Sequence, residues 1–376
     1  MSDTLTPIVF VGGHTDSEVE ALVNGGQQAA ALDSIARMLA IDLFGRPIVS
    51  TGSAAFAREL AGWPVTVVPD AGAFHFGRQL REIVERFDVR RPFYVGGGSA
   101  PLLSSEELTS IAQLALAEEF TLVANNFYSC DFVAFSPGSA LASIPPPAID
   151  NDLAYLLHRQ AGLRNVPLAR TIGTQFDLDT PVDLLILMLH PEVGPFCREY
   201  LDTAGLDPSR VRTAMRLLVD PTAEIVVAGR VGSHVLARLE TDLACRKRVF
   251  SEERGMRASG REARGEVRSL LGYHLAAVGP AAFFEHLATL GQAVFLDTRV
   301  LFGHMGLEPS GADRFSSDLF RDEQIGDPWI RSFTRAAREA SVPVLLGGHS
   351  LVSGGLWALI DAAWRERDGD LTAVTG

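Results

Sequence analysis

The chain has 376 residues, 47% of them apolar and 21% charged, with a formal net charge of −13. This length exceeds the roughly 250–300 residues at which one core stops growing, so two domains are expected, each with an ordinary globular composition. The charge excludes a nucleic-acid partner held by bulk electrostatics, and no apolar run reaches the about 18 residues of a membrane-spanning helix. Cys130, Cys197 and Cys245 lie far apart and form no CxxC pair, so neither a disulfide framework nor a cysteine-rich zinc site is expected. The start, MSDTLTP, has no basic stretch followed by an apolar one, so it does not read as a signal peptide, and a cytoplasmic protein is expected. Lys247 is the single lysine, so nearly all positive charge is arginine.

In chain order, residues 7–11 (PIVFV) read as a buried strand ending in Gly12-Gly13, and residues 26–42 carry apolar positions at helical spacing. Residues 64–68 (PVTVV) read as a strand, and 77–87 as a helix with one charged face. Residues 92–95 lead as a strand into Gly96-Gly97-Gly98. Ser104 or Ser105 then caps a helix running through Ala117, with Glu106 and Glu107 in its favourable first turn. Strands are expected at 121–124 and 131–135. This alternation predicts a mostly parallel sheet covered by helices. Pro145-Pro146-Pro147 must be extended. A helix follows at about 150–160, and Asp179-Thr180-Pro181 starts another that Pro191 closes. The domain boundary is expected at 190–195, giving domains 1–190 and 191–376.

The second half opens with a helical stretch to about 218. Residues 224–228 (EIVVA) form a strand ending in Gly229-Arg230-Val231-Gly232-Ser233-His234, which reads as a strand-to-helix phosphate turn without a full dinucleotide or Walker fingerprint. A basic tract covers 238–268. From Arg254 its arginines recur at helical spacing, yet Gly255, Gly260 and Gly265 fit a loop equally well. It would suit phosphate groups, or form a solvated face paired with Glu252, Glu253, Glu262 and Glu266. Strands follow at 293–296 and 343–346. Gly348-His349-Ser350 lacks the downstream histidine that a serine hydrolase requires. Asp297, Arg299, His304 and His349 are candidates for lining a second pocket, and a metal there would need three or four converging ligands.

Four pieces of the first half stand in a telling order: residues 8–13 (IVFVGG), 44–49 (FGRPIV), 93–103 (FYVGGGSAPLL, then SSEEL) and 176–184 (FDLDTPVDL). Together they resemble the nucleotidyltransferases that include molybdopterin-guanylyltransferase-like and phospholactate-guanylyltransferase-like enzymes. The resemblance covers roughly residues 7–190. It implies an α/β chain with a three-layer α/β/α nucleotide-diphospho-sugar-transferase-like domain, followed here by a second, mixed α/β domain.

The resemblance also implies the chemistry. A nucleotidyl group moves from a nucleoside triphosphate to a small phosphorylated or hydroxylated acceptor, and pyrophosphate leaves. A divalent ion, magnesium or manganese, neutralises the growing charge. Asp177 and Asp179 become the metal or phosphate-side acids, while Gly12, Gly13, Gly97, Gly98 and Ser99 line the nucleotide seat. Glycine suits that seat because it lets backbone N–H groups approach phosphates. Arg37 and Arg46 are the nearest basic residues for phosphate. The pattern departs in two places: the loop at 14–18 is acidic, and Ser99 stands where the family carries an aspartate, leaving Asp131 as the substitute metal acid. Asp179 could equally be only a helix cap, Asp177 a solvated loop acid, and 96–98 a tight turn.

Two rival functions follow from those departures. One is a nucleotide- or sugar-phosphate-binding protein without transfer; the other is a hydrolase or isomerase whose site lies around His304 and His349. The expected partners are a nucleoside triphosphate and a small acceptor, with no nucleic acid and no membrane. A homo-oligomer is compatible with the sequence.

Overall fold

The computed structural model describes residues 4–12, 15–70 and 74–375. They form two compact units. The first holds the chain up to Thr15, Asn24–Asp177 and Gly194–Tyr200; the second holds Asp16–Val23, Leu178–Val193 and the chain from Leu201 onward. Among the described residues no helix is long and apolar enough to cross a membrane.

Unit 1 contains strands β1 (Thr6–Val11), β2 (Ile48–Thr51), β3 (Thr66–Pro69), β4 (Pro92–Gly96), β5 (Thr121–Ala124), β6 (Phe132–Ser136) and β7 (Arg164–Asn165). Its helices are α1 (Glu18–Leu39, entering from unit 2 residues), α2 (Ala54–Glu59), α3 (Phe76–Arg86), α4 (Ser105–Ala117), α5 (Leu153–Arg159) and α6 (Ile172–Gln175). The strand order is β3-β2-β1-β4-β6-β5-β7. β1 pairs in parallel with both β2 and β4, and β2 with β3, as the alternation predicts. β6 runs antiparallel to β4 and β5, a reversal not apparent in the pattern of apolar runs.

Successive side chains of these strands point to opposite faces, and both faces are covered. Val9, Val49, Phe93, Val95 and Phe132 pack with Ala31, Leu32 and Ile35 of α1 and Leu108, Ile111 and Ala112 of α4. Ile8, Phe10, Ile48, Tyr94 and Val133 pack on the other side with Leu80, Ile83 and Val84 of α3 and Leu153 and Leu157 of α5. The result is the expected three-layer α/β/α unit. The start of α4 is fixed locally. Ser104 Oγ accepts from Glu107 N at 3.1 Å, and Glu107 Oε2 accepts from Ser104 N at 2.8 Å, so two of the orphan N–H groups there are satisfied reciprocally.

Unit 2 contains strands β8 (Glu224–Gly229), β9 (Arg246–Ser251), β10 (Ala293–Asp297) and β11 (Val344–Gly347). The remaining helices are α7 (Pro181–Leu189), α8 (Pro195–Thr203, its first part in unit 1), α9 (Ser209–Leu217), α10 (Ser233–Asp242), α11 (Leu270–Leu290), α12 (Thr298–His304), α13 (Gly311–Asp318), α14 (Pro328–Arg338) and α15 (Gly354–Thr375). The sheet order is β11-β10-β8-β9, parallel throughout. Val226, Ala228, Val294, Leu296, Val344 and Leu346 bury one face against Leu275, Phe283 and Phe284 of α11 and Ile330 and Phe333 of α14. Helices α7 and α9 pack on β11, and α15 packs on α7 and α9.

The chain changes unit after Asp177, again after Val193 within the expected 190–195 stretch, and once more after Tyr200, so α7 belongs to unit 2. Its Val182, Leu184, Leu185, Ile186 and Leu187 are all buried, so it is apolar almost all round, as a helix enclosed by neighbours must be. Residues 194–200 instead return to unit 1, where the buried Asp33 carboxylate accepts from Phe196 N (3.1 Å) and Cys197 N (2.9 Å) at the start of α8. In the basic tract, 238–242 end α10, 246–251 are β9, and the stretch from Arg254 takes the loop alternative: residues 254–265 are turns in which Gly255, Gly260 and Gly265 take φ of 77°, 68° and 65°, a left-handed conformation that glycine adopts without strain. Arg257, Arg261 and Arg264 pair with Glu262, Glu253 and Glu266, and Lys247 pairs with Glu240.

Candidate functional site

In unit 1 the chain leaves β1 for β2 and β3 on one side, then crosses to β4 on the other. A ligand crevice in such a sheet lies outside the carboxyl ends of the strands at this reversal, between β1 and β4. Gly12 follows β1 there and is exposed. Gly13 and His14 lie outside the described residues. After β4, Gly97 N donates to Phe10 O at 2.7 Å, which lays the 97–99 loop across the end of β1. A Cβ at Gly97 would stand only 3.1 Å from Phe10 O, so this close approach suits glycine.

Ser99 is the hub of the loop. Its Oγ donates to Asp131 O at 3.1 Å, and its backbone forms an isolated antiparallel bridge with Asp177. The next residue, Ala100, donates its N–H to Asp177 Oδ1 at 3.2 Å. Asp131, from the β5–β6 connection, thus meets Ser99 through its backbone carbonyl, and Asp177, from the segment after α6, meets the loop through its backbone and its carboxylate. Asp131 is held by Asn125, whose Nδ2 donates to Asp131 Oδ2 (2.7 Å) and whose Oδ1 accepts from Asp131 N (3.0 Å). Gln175 Nε2 donates to Asn125 O at 3.2 Å, tying α6 into the same cluster. A further acid, Asp70, follows β3 and accepts from Ser50 Oγ at 2.8 Å, while Gln79 Nε2 donates to that hydroxyl at 3.1 Å. Asn125, Gln175 and Asp70 were not singled out from the sequence. The available signal was a polar residue directly after a strand, or at the end of a short helix.

Among the described residues no group of three or more His, Cys, Asp and Glu is placed to hold a metal ion. A complete protein cage is therefore not provided. Magnesium is commonly held by one or two carboxylates together with substrate phosphate and water. Asp131 and Asp177 around Ser99 fit that partial donor set.

The other candidates are placed differently. Arg37, in the last turn of α1, donates to Pro101 O and Leu103 O at 3.1 Å each and so braces the loop before α4. Arg46 precedes β2 and donates to Val65 O at 2.6 Å, where the chain enters β3. That is the amino edge of these parallel strands, about 13 Å of strand away from the carboxyl edge, so Arg46 is corrected from a phosphate ligand to a loop brace. Asp179 parts company with Asp177 and belongs to unit 2. Desolvation by neighbouring protein raises its carboxyl, while the charges of Arg257, Arg230 and Arg299 oppose the rise. Gly98 lies half-buried within the 97–99 loop.

Unit 2 gathers charged groups at the carboxyl edge of its own sheet. Arg230 holds Asp297 through two bonds, Nε to Oδ2 at 2.6 Å and Nη2 to Oδ1 at 3.0 Å. Burial works to raise the Asp297 carboxyl, but Arg230 outweighs it and keeps it below its usual range. Arg299 holds Asp318 in the same forked manner at 2.9 and 2.6 Å. His349 Nδ1 lies 3.0 Å from Ser353 Oγ. Burial first, then the Arg230 guanidinium, push the His349 imidazole down to about 4, so it is neutral at neutral pH. His304 has other partners: its Nδ1 accepts from Ser269 N at 3.2 Å, and its ring packs against Tyr273.

Asp183, at the start of α7, accepts at Oδ2 from Thr180 N (2.8 Å), Thr180 Oγ1 (2.8 Å) and Asp179 N (3.1 Å). Burial, then the Asp179 charge, nevertheless raise it to about 7 from its ordinary 3.8. The folded chain therefore keeps this proton where the unfolded chain has lost it. The stability contributed is complete below about pH 4 and is lost as pH rises to about 7. In Asp183→Asn this fall disappears. Thermal unfolding across pH 4–7 should show wild type losing on the order of a few kcal/mol relative to the variant; parallel curves would refute the assignment.

Neither the family models nor the curated proteins compared with the chain match it. Its first half is similar to several solved structures. One is a nucleotidyl transferase from Methanothermobacter thermautotroptrophicus, 16% identical, TM-score 0.39, the match covering 54% of this chain and 100% of that one. Another is a cytidylyltransferase from Leptospira borgpetersenii serovar Hardjo-bovis, 12% identical, TM-score 0.34, covering 44% and 76%. A third is a CMP:2-keto-3-deoxy-manno-octonic acid synthetase complexed with CTP, 10% identical, TM-score 0.31, covering 45% and 91%. At TM-scores this low, the likeness says nothing about activity.

Proposed function

We propose that unit 1 seats a nucleoside triphosphate at the carboxyl edge of its sheet and transfers the nucleotidyl group to a small phosphorylated or hydroxylated acceptor. The observation that carries this reading is the joining of Asp177 to the loop after β4, beside Asp131, at the strand-order reversal. The four sequence pieces that resemble nucleotidyltransferases support it. In this reading Gly12 and Gly98 offer backbone to the phosphates, and Asp131 and Asp177 hold magnesium or manganese together with phosphate oxygens. The ion, when bound, neutralises charge that grows on the triphosphate as pyrophosphate leaves. Asn125 and Gln175 fix the direction of Asp131, and Ser99 ties the loop to the backbone of Asp131. Arg37 keeps the loop's exit in place.

Thermal unfolding with each of the four nucleoside triphosphates, with and without Mg²⁺ or Mn²⁺, tests the reading. A ligand at about 100 times its Kd adds roughly 2.7 kcal/mol, a rise of several degrees for a unit of this size. A metal-dependent rise with one triphosphate is expected. A rise that needs no metal and is lost in Asp177→Ala would instead favour a nucleotide-binding protein without transfer, for which the serine at position 99 is the supporting observation. No rise with any nucleotide would overturn both.

A further inference from the structure

Unit 2 has a reversal of its own. From β8 the chain forms β9 on one side, then β10 and β11 on the other, so the order changes direction between β8 and β10. The crevice outside the carboxyl ends at such a point is where open parallel sheets bind ligands. β8 ends at Gly229, with φ of +127°, and a Cβ there would collide with Asp297 Cβ. Only glycine lets the two strand ends close this tightly. The turn continues as Arg230-Val231-Gly232 into α10, ten residues long, whose N-cap is Gly232 with no side-chain cap.

Positive groups converge on that helix start. Arg254 lies against Gly232 so closely that a Cβ there would collide with its Nη1. The same nitrogen is 3.4 Å from Nδ1 of His234, in the first turn of α10. Arg230 stands in the turn itself, and the charges acting on the buried side of His349 include Arg230, Arg254 and His234, with Asp297 opposing them. The N-terminus of a helix is itself the positive end of its dipole, so the helix start and the guanidinium beside it form one positive locus suited to an anion. A buried donor is also unsatisfied beside this turn. The indole N–H of Trp357, a residue only 3% exposed, has no hydrogen-bond partner among the described residues, and its ring meets His234 edge-on at 5.7 Å. An unsatisfied buried donor is costly, and a polar ligand would relieve it. Asp179 shares the field of Arg230. A phosphate arriving at the turn would therefore meet two acids, Asp179 and the Asp297 already paired with Arg230, as well as several cations.

We propose that the 229–234 turn, with Arg254 and His234, is a second ligand site, one that takes the phosphate or pyrophosphate group of a small phosphorylated molecule. It stands independently of the transferase reading of unit 1, since every residue named lies in unit 2. The helix start supplies backbone N–H groups, Arg254 a planar fork of charged donors, and the glycine at 232 the room for the guanidinium to reach them.

Isothermal titration of the full chain in EDTA tests it, with inorganic pyrophosphate and each nucleoside triphosphate as separate probes. Binding without metal is expected. It should persist in Asp177→Ala, weaken with added salt, and fall about tenfold or more in Arg254→Gln. Arg254 is exposed, so this variant should unfold at the wild-type temperature. Gly232→Ala, which displaces the guanidinium, should weaken binding in parallel. Pyrophosphate binding as tightly as the nucleotides would make the phosphate group the whole ligand. Arg254-dependent binding of nucleotides alone would add the nucleoside to it. Binding that vanishes in Asp177→Ala, binding indifferent to Arg254→Gln, or no metal-free binding by any probe overturns the proposal.

Discussion

Asp177→Asn is expected to lose nucleotidyl transfer by about 100-fold or more while leaving unit 1 folded. The charge of Asp177 is what the proposed chemistry uses, and charge stabilisation by a carboxylate-held ion is worth several kcal/mol, with about 1.4 kcal/mol for each tenfold in rate. The side chain has a structural duty as well, because Oδ1 accepts from Ala100 N. Asparagine keeps that acceptor and removes only the charge. Asp177→Ala removes both, so it should show the same loss of turnover together with a drop in stability of about 1 kcal/mol. Pyrophosphate release measured with the triphosphate that stabilises wild type separates these outcomes. Full turnover in Asp177→Asn would sink the assignment of this acid and leave Asp131 and Asp70 as the groups to examine. A loss in the alanine variant alone would make Asp177 a positioning residue.

Arg299→Met is expected to destabilise unit 2 by about 3–5 kcal/mol, a fall in its melting temperature of roughly 10 °C. Arg299 and Asp318 form a forked pair in which the arginine is 8% exposed and the aspartate fully buried. Burial already raises the Asp318 carboxyl against the pull of Arg299, so removing the guanidinium strands a charge with only the weaker pull of Arg314 to offset its desolvation. Asp297 lies close enough to raise Asp318 further. The double variant Arg299→Met/Asp318→Leu should recover most of the loss, because an apolar pair of similar volume is often as stable as a buried ion pair. Calorimetric scans of the three proteins decide the matter. A single variant that melts with wild type would mean that water reaches this pair. A double variant as unstable as the single would mean that the forked geometry itself holds the start of α12 to the end of α13.

Much of the architecture was set by local sequence. The runs at 7–11, 92–95 and 225–228 are apolar throughout because their strands are covered on both faces, and such runs are legible without any partner. Ser104 with Glu107, and Thr180-Pro181 with Asp183, mark helix starts through contacts three residues apart, so those boundaries were visible as well. β9 was not. It is an edge strand paired only with β8, its basic side chains at 246 and 248 face solvent, and such a strand looks like a solvated charge run.

The candidate sites were decided by tertiary structure. Asp131 and Asp177 lie well beyond local range of each other in sequence, and what brings them to Ser99 is the reversed strand β6 and the bridge at the end of α6, neither of which leaves a local signature. Asp177 and Asp179 read as one motif, yet the chain passes from unit 1 to unit 2 between them. One acid therefore joins the loop after β4, and the other faces the arginines at the edge of the second sheet. Composition and periodicity report the hydrophobic burial that each segment needs, and that need is local. The convergence of charged groups from distant segments is set by strand order, which only the packed sheets determine.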